Sequence, residues 1–305
     1  MAFGRTHKWS RCGSRFHSLT TTWWIDFTLF CITFSPEMRI PFPFRDLWRH
    51  RDLLWQFTLR NIELRHKGSY LGFIWAVLNP LLILALYVVF FGYIFGGKYG
   101  EAPHETKVDY ALGLFAGLSI FQLLAEVIGV SPMIFVSQPN FVKKVVFPLE
   151  ILPAANVGAS VFHFLISTCL VTLGVATAGP GLSWSALWMP VIIFPVILIA
   201  LGLAWSISSL GVFFRDIGQV TQFLTQVLLY ASAIFFSPRI ITGTFWAILR
   251  WDPVLHAAAL ARNALLWHNG VNLRALAYLY VSGIVICWLG HTAFARMKPA
   301  FADVL

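Results

Sequence analysis

Two ionisable side chains, Glu126 and His163, lie deep inside apolar stretches of this sequence, and a third, Glu150, stands at the edge of one. A carboxylate and an imidazole so placed are the parts of proton relays and of general acid–base sites. Two groups are few for that work. An ion-coupled carrier buries a chain of such groups, and an intramembrane hydrolase needs a nucleophile beside its base. The scarcity argues against both. His163, alone among apolar neighbours, reads as a packing histidine with its hydrogen bonds satisfied. Glu126 reads as a polar contact between helices. The sequence has no G-x-x-x-x-G-K-[ST] loop to cradle a nucleotide's phosphates and no H-E-x-x-H pair to hold zinc. Cys12, Cys31, Cys169 and Cys287 lack metal-type spacing, so neither a structural metal nor a disulfide framework is expected. No residue is assigned a catalytic role.

The elements that would position these groups are set by composition. Of 305 residues 58% are hydrophobic and 11% charged, with a mean hydropathy of +0.73. A soluble domain carries about a quarter charged residues. So few charges cannot coat a water-facing surface, and lipid must solvate much of this chain. The expected fold is all-α and polytopic, with six membrane-spanning helices over residues 71–95, 110–136, 148–178, 187–213, 217–236 and 276–295. Asn79-Pro80 predicts a kink in the first span. Residues 45–67 predict an amphipathic helix on the membrane surface. Arg45, Arg49, Asp52, Gln56, Arg60, Glu63 and Lys67 share one narrow face there, and Trp48 and Trp55 suit headgroup depth. Between spans five and six, residues 244–250 and 253–267 read as short re-entrant helices on the outer side, too short to cross and broken by Gly243 and Asp252-Pro253. The chain divides into an extension (1–37), the surface helix region (38–70), the six-span body (71–298) and a short tail (299–305). The extension begins like a signal peptide but its apolar stretch is short and interrupted by Asp26. It reads as a flexible or interfacial leader, or as sequence ahead of a start at Met38.

The net charge of +9 fits a membrane protein with basic cytoplasmic loops better than a nucleic-acid binder, because no basic patch with interleaved aromatics lies outside the spans. Arg39, Arg45, Arg49, Arg51, Arg60, Arg65, Lys67, Lys143, Lys144, Arg215, Arg296 and Lys298 fall on one side if both termini are cytoplasmic. Lys98, Lys107, Arg239, Arg250, Arg262 and Arg274 fall on the other. The bias favours cytoplasmic termini. The four outer arginines are the exceptions, placed where they could meet lipid phosphates or an anionic substrate.

Several runs resemble a known family. Residues 60–75, RNIELRHKGSYLGFIW, followed by Leu78-Asn79-Pro80-Leu81, look like the approach to the first span in type-2 ABC exporter permeases for polysaccharides and polyol phosphates. Residues 137–153, SQPNFVKKVVFPLEILP, are similar to that family's first cytoplasmic loop. Phe214-Arg215-Asp216-Ile217, then Gln226 and Ser237-Pro238, resemble its region between spans four and five. Asp252-Pro253 with Arg262 resembles its outer re-entrant segment, where Asn-Pro is commoner. The likeness covers about residues 40–300. It implies a bacterial inner-membrane subunit that pairs with a second copy and binds two copies of a separate ATPase. The ATPase would hold ATP and Mg, and no cofactor would sit on this chain. It also implies a lipid-linked glycan, of O-antigen or capsule type, as cargo. An exporter of teichoic acid, a drug or another lipid is the alternative on the same fold. A membrane-embedded glycosyl- or acyltransferase is a third class, and lacks a convincing catalytic His or Asp pair.

In that frame Asn140, Phe141, Lys143, Lys144, Phe147 and Glu150 form the ATPase-coupling loop, its apolar side seated in a groove and its lysines on acidic rim residues. The plainer reading is that the lysines only set topology. Arg215 and Asp216 form a cytoplasmic turn, paired with each other or bracing the surface helix. Tyr87, Phe91 and Phe95, with Phe223 and Tyr230, are candidate channel-lining aromatics able to stack on sugar C–H patches, or simply lipid-facing. Arg45, Arg49, Trp55 and Arg60 mark the interfacial helix among the membrane lipids, where a lipid diphosphate could be admitted.

Overall fold

The computed structural model describes residues 43–100, 105–143, 147–237, 243–267 and 270–304. The expectations for the 1–37 extension, for Lys144 and for Pro238 and Arg239 fall outside these residues.

The described chain is helical. A surface segment forms α1 (Pro43–Arg49) and α2 (Arg51–His66). The single amphipathic helix expected there is broken at His50, whose φ of −111° and ψ of 31° are not helical. Then follow α3 (Trp75–Tyr87), α4 (Lys107–Val130), α5 (Pro139–Lys143), α6 (Ile151–Thr177), α7 (Met189–Phe213) and α8 (Ile217–Ala231). Last come α9 (Thr244–Leu249), α10 (Pro253–Arg262), α11 (Leu273–Met297) and α12 (Phe301–Val304). Five stretches are long and apolar enough to cross a bilayer: Gly72–Ile94, Lys107–Met133, Ile151–Thr177, Trp184–Phe213 and Leu273–Val304. They match the expected spans one, two, three, four and six. The expected fifth, α8, has 15 residues. At 1.5 Å per residue that is about 22 Å, short of the roughly 30 Å of hydrocarbon.

The first span is composite. Pro80 lies inside α3, and the helix widens into a π-helical run over Val88–Ile94.

The core is built around α4. Of its most apolar stretch 78% is buried, against 6% for the first span. Helices α7 and α11 lie against each other through small residues. A Cβ on Gly290 would stand 2.1 Å from the Gly202 carbonyl oxygen, and one on Gly283 would stand 2.8 Å from that of Pro195. With lipid as the solvent no hydrophobic force drives helices together, so backbone-close packing of this kind must hold the pair. The surface helix is fastened likewise: Thr58 is buried against Gly158 of α6, where a Cβ would meet its Oγ1 at 2.7 Å.

After α8 the chain unwinds over Ser232–Phe236, with Ala233 at φ 47°, in the left-handed region. Open backbone at membrane depth must find donors within the protein. Arg262 provides them, its Nε donating to Gly113 O (3.1 Å) and its Nη2 to Ala233 O (3.3 Å) and Ile234 O (3.0 Å). The Tyr99 hydroxyl also donates to Ile234 O, and that of Tyr110 donates to Phe235 O at 2.9 Å. Arg262 is 2% exposed and lies over the Tyr99 ring at 4.3 Å. This corrects the expectation that Arg262 meets lipid phosphates or substrate, because its guanidinium is consumed by internal carbonyls.

Candidate functional site

The C-terminal end of α2 delivers Arg65 and His66 to α4 and α6, where they meet the two ionisable groups of the spans. Arg65 forms an ion pair with Glu126. Its Nη1 lies 3.0 Å from His163 Nδ1, and its Nη2 donates to Asn156 Oδ1 (3.1 Å) and Ser160 Oγ (3.3 Å). His163 Nε2 lies 3.1 Å from His66 Nε2. His163 Nδ1 also lies 3.2 Å from Glu126 Oε1, so it faces a donor and an acceptor at once, and within the cluster the Arg65 guanidinium and the Glu126 carboxylate balance each other's charge. Burial lowers the Arg65 guanidinium to about 10, so it stays charged at neutral pH. His66 is held below the usual histidine range by burial first, then by His163 and Arg65.

This cluster walls a cavity of about 560 Å³ between α2, α3, α4 and α6. Trp75, Asn79 and Gln122 share the wall. The Asn79 and Gln122 amides make no hydrogen bond among the described residues, although both lie in apolar spans. Amides facing hydrocarbon are costly, so this cavity is a place for water or a hydroxylated guest. It offers binding rather than chemistry: the Ser119 and Ser167 hydroxyls donate to the Phe115 and His163 backbone carbonyls, and the carboxylate is taken by Arg65.

The predicted coupling loop docks on the surface helix. Phe57 of α2 packs its ring on Phe141 (5.6 Å between centroids) and Phe147 (5.2 Å). Arg60 lies 4.6 Å over the Phe57 ring and donates from Nη2 to Gln138 Oε1 at 2.9 Å. So Phe141 and Phe147 turn inward to α2, while Asn140 and Lys143 are exposed. Glu150 accepts from Lys298 Nζ at 2.7 Å, a brace to the end of the chain rather than a free contact. Arg215 and Asp216 are exposed and make neither of the expected pairings among the described residues. Arg45, Arg49 and Trp55 are exposed on α1 and α2, and Arg60 alone of the interfacial set turns to the protein.

All the candidate aromatics but Phe223 are joined into one chain. Phe235, from the unwound segment, stacks on Phe91 (4.3 Å) and touches Tyr87 (5.0 Å) and Tyr230 (6.2 Å). Phe95 continues the chain from Phe91 at 5.8 Å. Phe223 stands apart on α8, 72% exposed. Sequence reasoning missed Phe235 and the inward aim of Arg65. The signal for Arg65 was available: it lies off the polar stripe of Arg60, Glu63 and Lys67, toward the body.

A family model described as ABC-2 type transporter matches residues 52–266. The O-antigen export system permease protein RfbA of Klebsiella pneumoniae is 29% identical over 83% of this chain and 95% of its own length. The protein of that name from Myxococcus xanthus is 22% identical over 85% and 97%. The polysialic acid transport protein KpsM of Escherichia coli is 26% identical over 79% and 92%.

Proposed function

From the premise that this chain belongs to the ABC-2 type transporter family, we propose that it is the membrane-spanning subunit of an exporter that carries a lipid-linked polysaccharide across the bacterial inner membrane. The observation that carries the reading is the unequal burial of the spans. The first span and α8 are barely covered: Phe95, Phe223 and Tyr230 stand exposed on them, with Tyr87 and Phe91 half-buried over Phe235. Lipid alone could cover an apolar face; the aromatic chain on this one, with polysaccharide in the relatives' names, supports reading it as the seat of a second copy and a shared channel. Aromatic faces suit sugar C–H patches, and polysaccharide is the cargo in the names of the relatives. The same cargo favours a glycan over the teichoic-acid alternative.

In this proposal the chain crosses six times with both termini cytoplasmic. The short α8 and the unwound Ser232–Phe236 together make the fifth crossing, and α9 and α10 re-enter from outside. Energy comes from two copies of a separate ATPase, which hold ATP and Mg. They grip the loop around Asn140, Lys143 and Lys144 and the turn at Arg215 and Asp216. Arg45, Arg49 and Trp55 bed α1 and α2 in the inner leaflet.

Purification of the tagged chain in mild detergent tests this. Two chains per particle, a co-purifying ATPase and a bound glycolipid are expected. Cargo movement, or turnover of any substrate, by the chain with no nucleotide-hydrolysing companion would overturn it.

A further inference from the structure

A second, smaller cavity of about 270 Å³ lies on the other side of Arg65, between α2, the segment after α4 and the start of α6. Its polar wall is Arg60, Asn61, Arg65, Ser137, Gln138 and Asn156. Two buried polar atoms there have no partner, Nε of Arg60 and Nδ2 of Asn156, and both are donors. Asn156 is 4% exposed. The amide oxygens of Gln138 and Asn156 are already spent on Arg60 and Arg65. Ser137 gives its proton to Met133 O at 2.7 Å, which leaves its oxygen lone pairs. Arg65 is neutralised by Glu126 in the neighbouring cavity, whereas no carboxylate pairs with Arg60 among the described residues. Buried donors without acceptors are costly, and Arg60, with no such carboxylate beside it, lies half-buried over the Phe57 and Phe141 rings. An anion rich in acceptor oxygens would satisfy both donors.

We propose that this cavity binds the phosphate group of a membrane lipid from the cytoplasmic leaflet. A phosphate accepts from Arg60 Nε and Asn156 Nδ2 together, which a halide or a sugar hydroxyl does less well. The cavity's other wall is apolar, with Leu64, Val130, Met133 and Leu152, and suits the first carbons of a lipid chain. Trp48 and Trp55 stand exposed on the same surface segment, and tryptophan favours the headgroup region. The occupant would pin α2 to the coupling loop, because Arg60 touches both.

The test is the melting temperature of the full chain in nanodiscs of phosphatidylcholine alone, then with phosphatidylglycerol, with a long-chain prenyl phosphate, or with inorganic phosphate in the buffer. Only the prenyl arm rests on the export reading. A rise of about 5 °C or more with a phosphate lipid is expected, as for a ligand near a hundredfold above its Kd. Gln138→Glu places a carboxylate beside Arg60 and should abolish the rise while leaving the basal melting temperature unchanged or higher. Asn156→Leu should abolish it too, and Arg274→Gln, at the start of α11, should retain it. Protection by both acidic lipids supports a general headgroup site, and protection by the prenyl phosphate alone supports a cargo-carrier site. Protection by inorganic phosphate without any lipid effect overturns the lipid assignment. So does a lipid-induced rise that survives Gln138→Glu, or protection that only a partner ATPase supplies.

Discussion

Replacing Arg262 discriminates between a structural clamp and a site for an external anion. In Arg262→Met the side-chain volume is roughly kept, and three charge-assisted hydrogen bonds and the stack on Tyr99 are lost. Such bonds contribute about 1.5–3 kcal/mol each, and burying the guanidinium costs several kcal/mol, so these terms roughly cancel. What does not cancel is the fate of the acceptors. Gly113 O keeps its donor within the α4 ladder, and Ile234 O keeps the Tyr99 hydroxyl. Ala233 O, at the residue with positive φ, is left bare, at about 1–3 kcal/mol. For a body of this size that is a fall in melting temperature of roughly 3–10 °C. Arg262→Lys should be worse than Arg262→Met, because an ammonium retains the burial cost but cannot span three carbonyls. The assay is thermal melting of the purified chain in one detergent, with monodispersity checked by size exclusion. Lys melting like the wild type, with Met collapsed, would refute the clamp and restore an anion-facing role in which only charge matters.

Three further outcomes are expected. Lys143→Glu with Lys144→Glu should leave the chain inserted but cut its stimulation of the partner ATPase at least tenfold, read as hydrolysis by the reconstituted complex. Gly290→Val should prevent α7 and α11 from closing, since the new Cβ meets the Gly202 carbonyl at 2.1 Å; the loss exceeds about 3 kcal/mol and shows as aggregation on size exclusion. His66 has a depressed pKa, so the unfolded chain binds more protons than the folded one just below pH 6.5. The melting temperature should therefore fall as pH drops below that value, and His66→Gln should flatten the dependence.

Elements legible in the sequence are those fixed by composition and period. Five of the six expected spans appear as helices long enough to cross, all within three residues of their predicted ends except the last, which runs on to Val304. The fifth was misjudged in length because Ser232–Phe236 is as apolar as a helix end. Nothing local announces that Ala233 will turn left-handed under the pull of Arg262 and its neighbours. The same non-local cause hid the purpose of Arg262, which sits 149 residues from one of its acceptors. Phe141 and Phe147 were read as facing a partner, but Phe57 claims both, and only the fold brings residue 57 to the loop. Glu126 and His163 were visible as the odd polar groups in apolar helices. Their meeting with Arg65 required knowing that α2 lies across α4 and α6.

The way force would travel follows from which contacts are tight. If an ATPase pushes on Asn140 and Lys143, the loop cannot move alone, because Phe141 and Phe147 are keyed to Phe57 and Gln138 to Arg60. Helix α2 must move with it, and α2 is bolted to α6 by Thr58 at Gly158 and to α4 and α6 by Arg65. Those four elements form one lever. The first span meets that lever at its base, where His66 meets Phe73 at 5.6 Å, and higher up where Ile83, Leu84, Tyr87 and Phe91 pack on the cluster of Tyr110, Leu114 and Leu118. A push on the loop would then shift the lever against the first span and α8, and the aromatic chain through Phe235 is what must slide. Bulky aliphatic replacements at Phe235 should slow transport more than they lower stability, whereas replacements at Phe57 should uncouple hydrolysis from transport. The two positions separate the sliding surface from the rigid arm.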